Sequence, residues 1–168
     1  MTAHRPASLG NLLGLAWPII ISRASQSVVG LCDALMVAHL GAAALASVAT
    51  GGMNTFTVMI LPMGVTFIVQ SFASQLFGKG DAAGARRYGW YGLWVAALTQ
   101  LAAFAGWFIV DDVLAVLPYT DEVRALMGGY MRIRLLSAGA AIGVEALSNF
   151  YGGLGRTLPG MVANLVAM

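Results

Sequence analysis

The stretch whose reading decides the fold is residues 9–40, LGNLLGLAWPIIISRASQSVVGLCDALMVAHL. It exceeds the roughly 20 apolar residues a helix needs to cross a bilayer, and its only charges of fixed sign are Arg23 and Asp33. A secretory leader also has a basic flank, here His4 and Arg5, but its apolar region is only about 7–15 residues long. No small-residue cleavage pattern ends the present run early. The stretch therefore reads as a retained membrane helix. Pro18 lies inside it, and a proline that lacks an N–H and crowds the preceding turn gives the helix a bending point.

The same pattern repeats along the chain. A second apolar run covers about 44–77 and stops at Gly78-Lys79-Gly80-Asp81. A third, about 87–110, ends at Asp111-Asp112, and the apolar segment 113–119 beyond it is too short to span and is expected to lie in the membrane interface. A fourth, about 122–151, ends at Gly152-Gly153-Leu154-Gly155-Arg156. Pro159 then stands at the first-turn position that proline tolerates best, opening an incomplete helix over 159–168. Ten residues make a helix of roughly 15 Å, about half the hydrocarbon thickness. The expected fold is thus an all-α integral membrane protein, with four complete transmembrane helices plus the start of a fifth. The further helices that would complete the fifth span are expected in the same parent chain.

Composition excludes the soluble alternatives. Of 168 residues, 59% are hydrophobic and 10% charged, where soluble domains carry about 25% charged residues. The mean hydropathy is +0.80. The lipid bilayer is the natural partner, and the 21 glycines suit close helix contacts within it. A net charge of +2 with scattered basic residues gives no track for a nucleic acid, and the lone Cys32 allows no internal disulfide. Arg5, Lys79, Arg86, Arg87 and Arg156 fall on one side, whereas Asp111, Asp112, Asp121 and Glu122 share the other with Arg124 alone. The positive-inside rule then gives a multi-pass protein of the cell (inner) membrane with a cytoplasmic N-terminus.

Ionisable and amide side chains within spans are costly, and so they are the candidate functional residues. Gln26 and Asp33 are two helical turns apart and share a face of the first helix. Asp33 is the candidate for ion or proton coupling, with a salt bridge to a neighbouring helix as the structural alternative. On the second span Thr50, Asn54 and Thr57 share a face. Interhelical hydrogen bonding is the commoner use of such residues, and the wall of a wet substrate pathway is the functional one. On the fourth span Arg132 and Arg134 can snorkel to the interface, and Glu145, with Asn149 one turn on, suits an ion pair or helix contact. No metal-binding cluster, paired carboxylates or phosphate-cradling loop marks an enzyme, and no cofactor is implied.

Several stretches, in order and spacing, resemble the multidrug and toxic compound extrusion (MATE) family. They are Trp17-Pro18-Ile19-Ile20 followed by Val29-Gly30-Leu31-Cys32-Asp33-Ala34-Leu35-Met36-Val37-Ala38-His39-Leu40-Gly41, then Ala44–Ala49, Gln75–Asp81 with Arg86-Arg87, and Gly153–Pro159. The resemblance implies twelve helices in two six-helix lobes related by an internal repeat, of which this chain covers about four and a half. It implies antiport, with cationic amphipathic compounds exported in exchange for H+ or Na+. Asp33 then matches the acidic residue tied to coupling, Pro18 the proline where that helix bends, and Gln26 a position lining the same cavity. The chain departs from the family pattern at Ala34-Leu35 and Ala38, and the fifth-helix polar cluster that partners the acid falls beyond Met168.

The sequence therefore reads as the N-terminal part of a multidrug-efflux antiporter. A flippase for lipid-linked saccharides is the alternative within transporters, although such a cavity needs more cationic residues than Arg23. A truncated membrane protein without transport is the alternative outside them.

Overall fold

The computed structural model describes residues 9–167, the side chain of Asn11 aside. Over that range the chain is helical, with α1 at Leu9–Ala38, α2 at Ala42–Gly78, α3 at Ala82–Ala115, α4 at Asp121–Leu136, α5 at Ala138–Gly153 and α6 at Leu158–Val166. Three helices are long and apolar enough to cross a membrane: Leu12–Ala38, Ala42–Gly78 and Ala82–Ala115. The tail bearing His4 and Arg5, and the terminal Met168, lie outside the described residues. Glycine makes the sharp reversals, with Gly41 at φ 106°, Gly80 at φ 84° and Gly155 at φ 71°. These are left-handed conformations that a Cβ disfavours. Asp81 fixes the start of α3 by accepting the Gly84 N–H at 2.7 Å.

α3 runs antiparallel to its neighbours. Moving along it, Tyr88 stacks on Phe72 of α2, Gly92 lies against Val69 and Ala146, Gln100 reaches Leu135 and Gly139, and Asp111 meets Arg132. α5 sits at the centre, packed on α2, α3 and α6, whereas α1 lies at the edge against α2 and α6.

Three boundaries differ from the sequence reading. α3 opens at Ala82 rather than near 87, because Asp81 caps it there, and the other two also differ for visible reasons. α3 does not end at Asp111-Asp112 but continues to Ala115, so residues 113–115 belong to the helix. Arg132 pairs with Asp111, which offsets the cost of a carboxylate late in the helix. Val110 and Leu114, one turn apart, bury themselves against Met127 and Met131 of α4, with Leu117 and Tyr119 packed alongside. Helix continuation therefore gains apolar burial. Arg132 also stands 5.4 Å over the Trp107 ring and Arg134 5.9 Å over Tyr130, so both are held by aromatic faces.

The expected continuous helix over 122–151 is interrupted at Ser137. In an unbroken helix the Gly139 N–H would donate to the Leu135 carbonyl four residues back. Instead the Gln100 amide of α3 stands between them. Its Oε1 accepts from Gly139 N at 2.8 Å, and its Nε2 donates to Leu135 O at 3.3 Å. A side chain inserted into the backbone ladder is an established cause of a break. Gly139 is what admits it, since a Cβ there would fall 2.5 Å from Gln100 Cβ and 3.0 Å from Ala96 O.

Candidate functional site

Three helices converge on a polar pocket in an otherwise apolar bundle. Pro18 lies buried in α1, and Ser22 and Arg23 follow within about one turn. α5, which follows the interruption at Ser137, contributes Glu145, Ser148 and Asn149. α6 begins with Pro159 in its first turn and brings in Asn164. A cavity of about 160 Å³ lies between them, bordered also by Phe67 and Gln70 of α2.

The polar groups form a connected chain. Arg23 Nη2 is 2.9 Å from Glu145 Oε1, and the Glu145 side chain is only 7% exposed while that of Arg23 is 50% exposed. Arg23 Nη1 donates to Gln26 Oε1 at 3.3 Å, and Gln26 Nε2 donates to Asn164 Oδ1 at 3.0 Å. Asn164 Nδ2 donates to Ser148 Oγ at 3.2 Å and to Gly160 O at 2.9 Å. One turn deeper in α5, Asn149 Nδ2 donates to Thr66 Oγ1 at 3.3 Å. A buried carboxylate is costly unless paired and hydrogen-bonded. Arg23 supplies the pairing, and Gln26 and Asn164 tie the guanidinium to α6.

The structure divides the residues singled out from sequence. Gln26 and Pro18 belong to this pocket. Asp33 does not. It lies ten residues beyond Arg23, roughly 15 Å along the helix, is half-buried, and has no hydrogen-bond or ion-pair partner among the described residues. Thr50 and Asn54 face α4, where Thr50 Oγ1 lies 3.4 Å and Asn54 Nδ2 3.6 Å from Met127 Sδ. Thr50 also donates to Ala46 O at 2.6 Å within its own helix. No hydrogen bond joins either to Asp33 among the described residues. Among the same residues, no three His, Cys, Asp or Glu side chains gather as a metal site.

Sequence reasoning assigned Glu145 to an ion pair without finding its partner, and left Ser148 and Asn164 unused. The available signal was the clustering of Glu145, Ser148 and Asn149 on one helical face, matched by Arg23 and Gln26 three residues apart in α1.

Apolar spans folded around a charge-neutralised polar network define a multi-pass membrane protein. The family model described as MatE matches residues 18–168, and the chain belongs to that family. Over 92% of its length it is 31% identical to a probable multidrug resistance protein NorM of Agrobacterium fabrum, of which it covers 32%. It is 29% identical over 95% of its length to the multidrug resistance protein PmpM of Pseudomonas aeruginosa, covering 34% of that protein. It is 25% identical over 94% of its length to the multidrug resistance protein MdtK of Yersinia pestis, covering 35%. The chain thus spans about a third of the length of the curated relatives it matches. No solved structure matches it.

Proposed function

We propose that this chain forms the opening part of a cation-coupled antiporter that exports cationic, amphipathic compounds across the cell (inner) membrane, its N-terminus in the cytoplasm. The observation that carries the reading is the Arg23–Glu145–Gln26–Asn164 network within helices of a MatE-family chain. Intramembrane ionisable groups are retained at a cost, and they mark substrate and ion pathways. Glu145 neutralises Arg23, so the pocket offers no free positive charge to an anionic headgroup. This favours a cationic substrate over the lipid-linked saccharide of a flippase.

On this reading Asp33, a carboxylate without a competing ion pair among the described residues, takes up the coupling H+ or Na+. Its charge state biases the bend at Pro18. Gln26, Thr50 and Asn54 line the substrate pathway, and further helices complete two six-helix lobes that alternate access. The test is ethidium or norfloxacin export by cells expressing the transporter with Asp33→Asn. Export should fall to the level of cells lacking the transporter while membrane abundance stays normal. Undiminished export would remove Asp33 from the mechanism.

A further inference from the structure

A second cavity lies elsewhere, at the α2–α3 turn. It measures about 430 Å³ and is bordered by Phe72, Gln75 and Lys79 of the α2 side and by Arg87, Tyr88 and Tyr91 of α3. Its wall is rigid. Tyr88 lies flat on Phe72 with ring centroids 4.8 Å apart and planes within 5°. Tyr91 meets Tyr88 edge-on at 5.5 Å. Two cations, Lys79 and Arg87, reach its mouth, and neither has an ion-pair partner among the described residues. The nearby carboxylate, Asp81, is engaged in capping α3.

The depth of this cavity follows from the aromatic residues. Tyr88, Trp90, Tyr91 and Trp94 cluster in the first turns of α3, with Trp90 66% and Trp94 65% exposed. Exposed Trp and Tyr on a spanning helix settle at the headgroup level of a bilayer. Lys79 and Arg87, at the α2–α3 turn, then stand about where lipid phosphates lie. Basic pockets between membrane helices are suited to anionic headgroups, and each basic residue near the surface contributes about 1 kcal/mol of attraction. A guanidinium binds phosphate oxygens through paired N–H donors, and an ammonium adds a point charge beside it.

We infer that this cavity is a binding site for the phosphate of an anionic phospholipid headgroup, held by Lys79 and Arg87, with the Tyr88–Tyr91 wall against the glycerol and upper acyl region. The site is independent of the transport reading, because it shares no residue with the Arg23–Glu145 pocket and its readout is lipid, not drug.

The protein is purified from membranes and reconstituted in nanodiscs of phosphatidylcholine with and without phosphatidylglycerol. Lipid retained through detergent washing is measured by mass spectrometry. The wild type should retain phosphatidylglycerol preferentially, and less so at high salt. Lys79→Gln and Arg87→Gln should each lower that preference about fivefold. Lys79→Arg with Arg87→Lys should largely keep it, which separates loss of charge from loss of fold. Arg156→Gln removes an exposed basic residue that does not border the cavity, and should leave the preference unchanged. An undiminished preference in the Lys79→Gln, Arg87→Gln double variant would overturn the assignment. So would displacement of the lipid by inorganic phosphate or glycerol 3-phosphate at concentrations comparable to the lipid, which would make the cavity a site for soluble anions.

Discussion

α1 and α5 both face the polar pocket, yet they are held in different ways. Every glycine of α5 that faces a neighbour is in contact with it. A Cβ on Gly139 would meet Gln100 and Ala96, and one on Gly153 would come within 2.6 Å of the Gln70 carbonyl oxygen. In α1, Gly14 and Gly30 have nothing within 4 Å of where a Cβ would stand. Among the described residues only Pro18 and Ser22 of α1 are buried, and its side-chain hydrogen bonds to other helices are Arg23 to Glu145 and Gln26 to Asn164. The difference shows two kinds of attachment. An interlock of glycine and backbone has one geometry. A bond between a guanidinium and a carboxylate can be exchanged for another cation, so on the proposed function α1 is the helix whose position a bound ion or substrate would change.

The contrast breaks most sharply at Gly139. Gly139→Ala drives a methyl into Gln100, which cannot withdraw without releasing both the Gly139 N–H and the Leu135 carbonyl. Overpacking together with the loss of those bonds should cost about 3 kcal/mol. The measurement is thermal or denaturant unfolding in a fixed detergent. A change below about 1 kcal/mol would show that the Gln100 interlock contributes little to holding α5.

The next largest effect lies on the α1 side and is asymmetric. Arg23→Ala leaves Glu145 buried without its cation, and should cost about 2 kcal/mol, below the range for a fully buried pair because Arg23 is half-exposed. Glu145→Gln removes the countercharge, but the new amide still accepts a hydrogen bond and the half-exposed guanidinium keeps Gln26, so it should cost less than Arg23→Ala. Equal losses in the two variants would mean that the pair is buried on both sides in the working protein.

How much of this was legible in sequence depends on whether the cause was local. The apolar runs ending at Gly78-Lys79-Gly80-Asp81 and at Pro159 mark turns that the structure places within a few residues, because turn glycines and helix-opening prolines act on their own backbone. The break at Ser137 was not legible. Ser137 and Gly139 permit it, but its cause is an amide on another helix. The extension of α3 past Asp112 was hidden for the same reason, because Arg132, twenty-one residues past Asp111, supplies the compensating charge. Glu145 could be read as one half of a pair, yet choosing Arg23 among the basic residues required knowing that α1 packs beside α6 and near α5. Gln26 was found by its helical spacing from Asp33, but the structure ties it to Asn164 instead.

The smallest expected effect tests the open side of the comparison. Gly30→Ala adds a methyl where no atom lies within 4 Å, at a helix-interior position where alanine is favoured over glycine by up to about 1 kcal/mol. Unfolding should therefore be unchanged or slightly harder, and export by the transporter unaffected. Gly30 stands three residues before Asp33, so both lie on nearly the same face of α1. If Gly30→Ala instead lowers stability or export, then that face is packed closely by helices other than α2–α6, because small residues at membrane helix contacts resist enlargement. Such a result would place Asp33 inside a helix interface. The coupling role proposed for Asp33 would then depend on what that interface contributes, rather than on α1 alone.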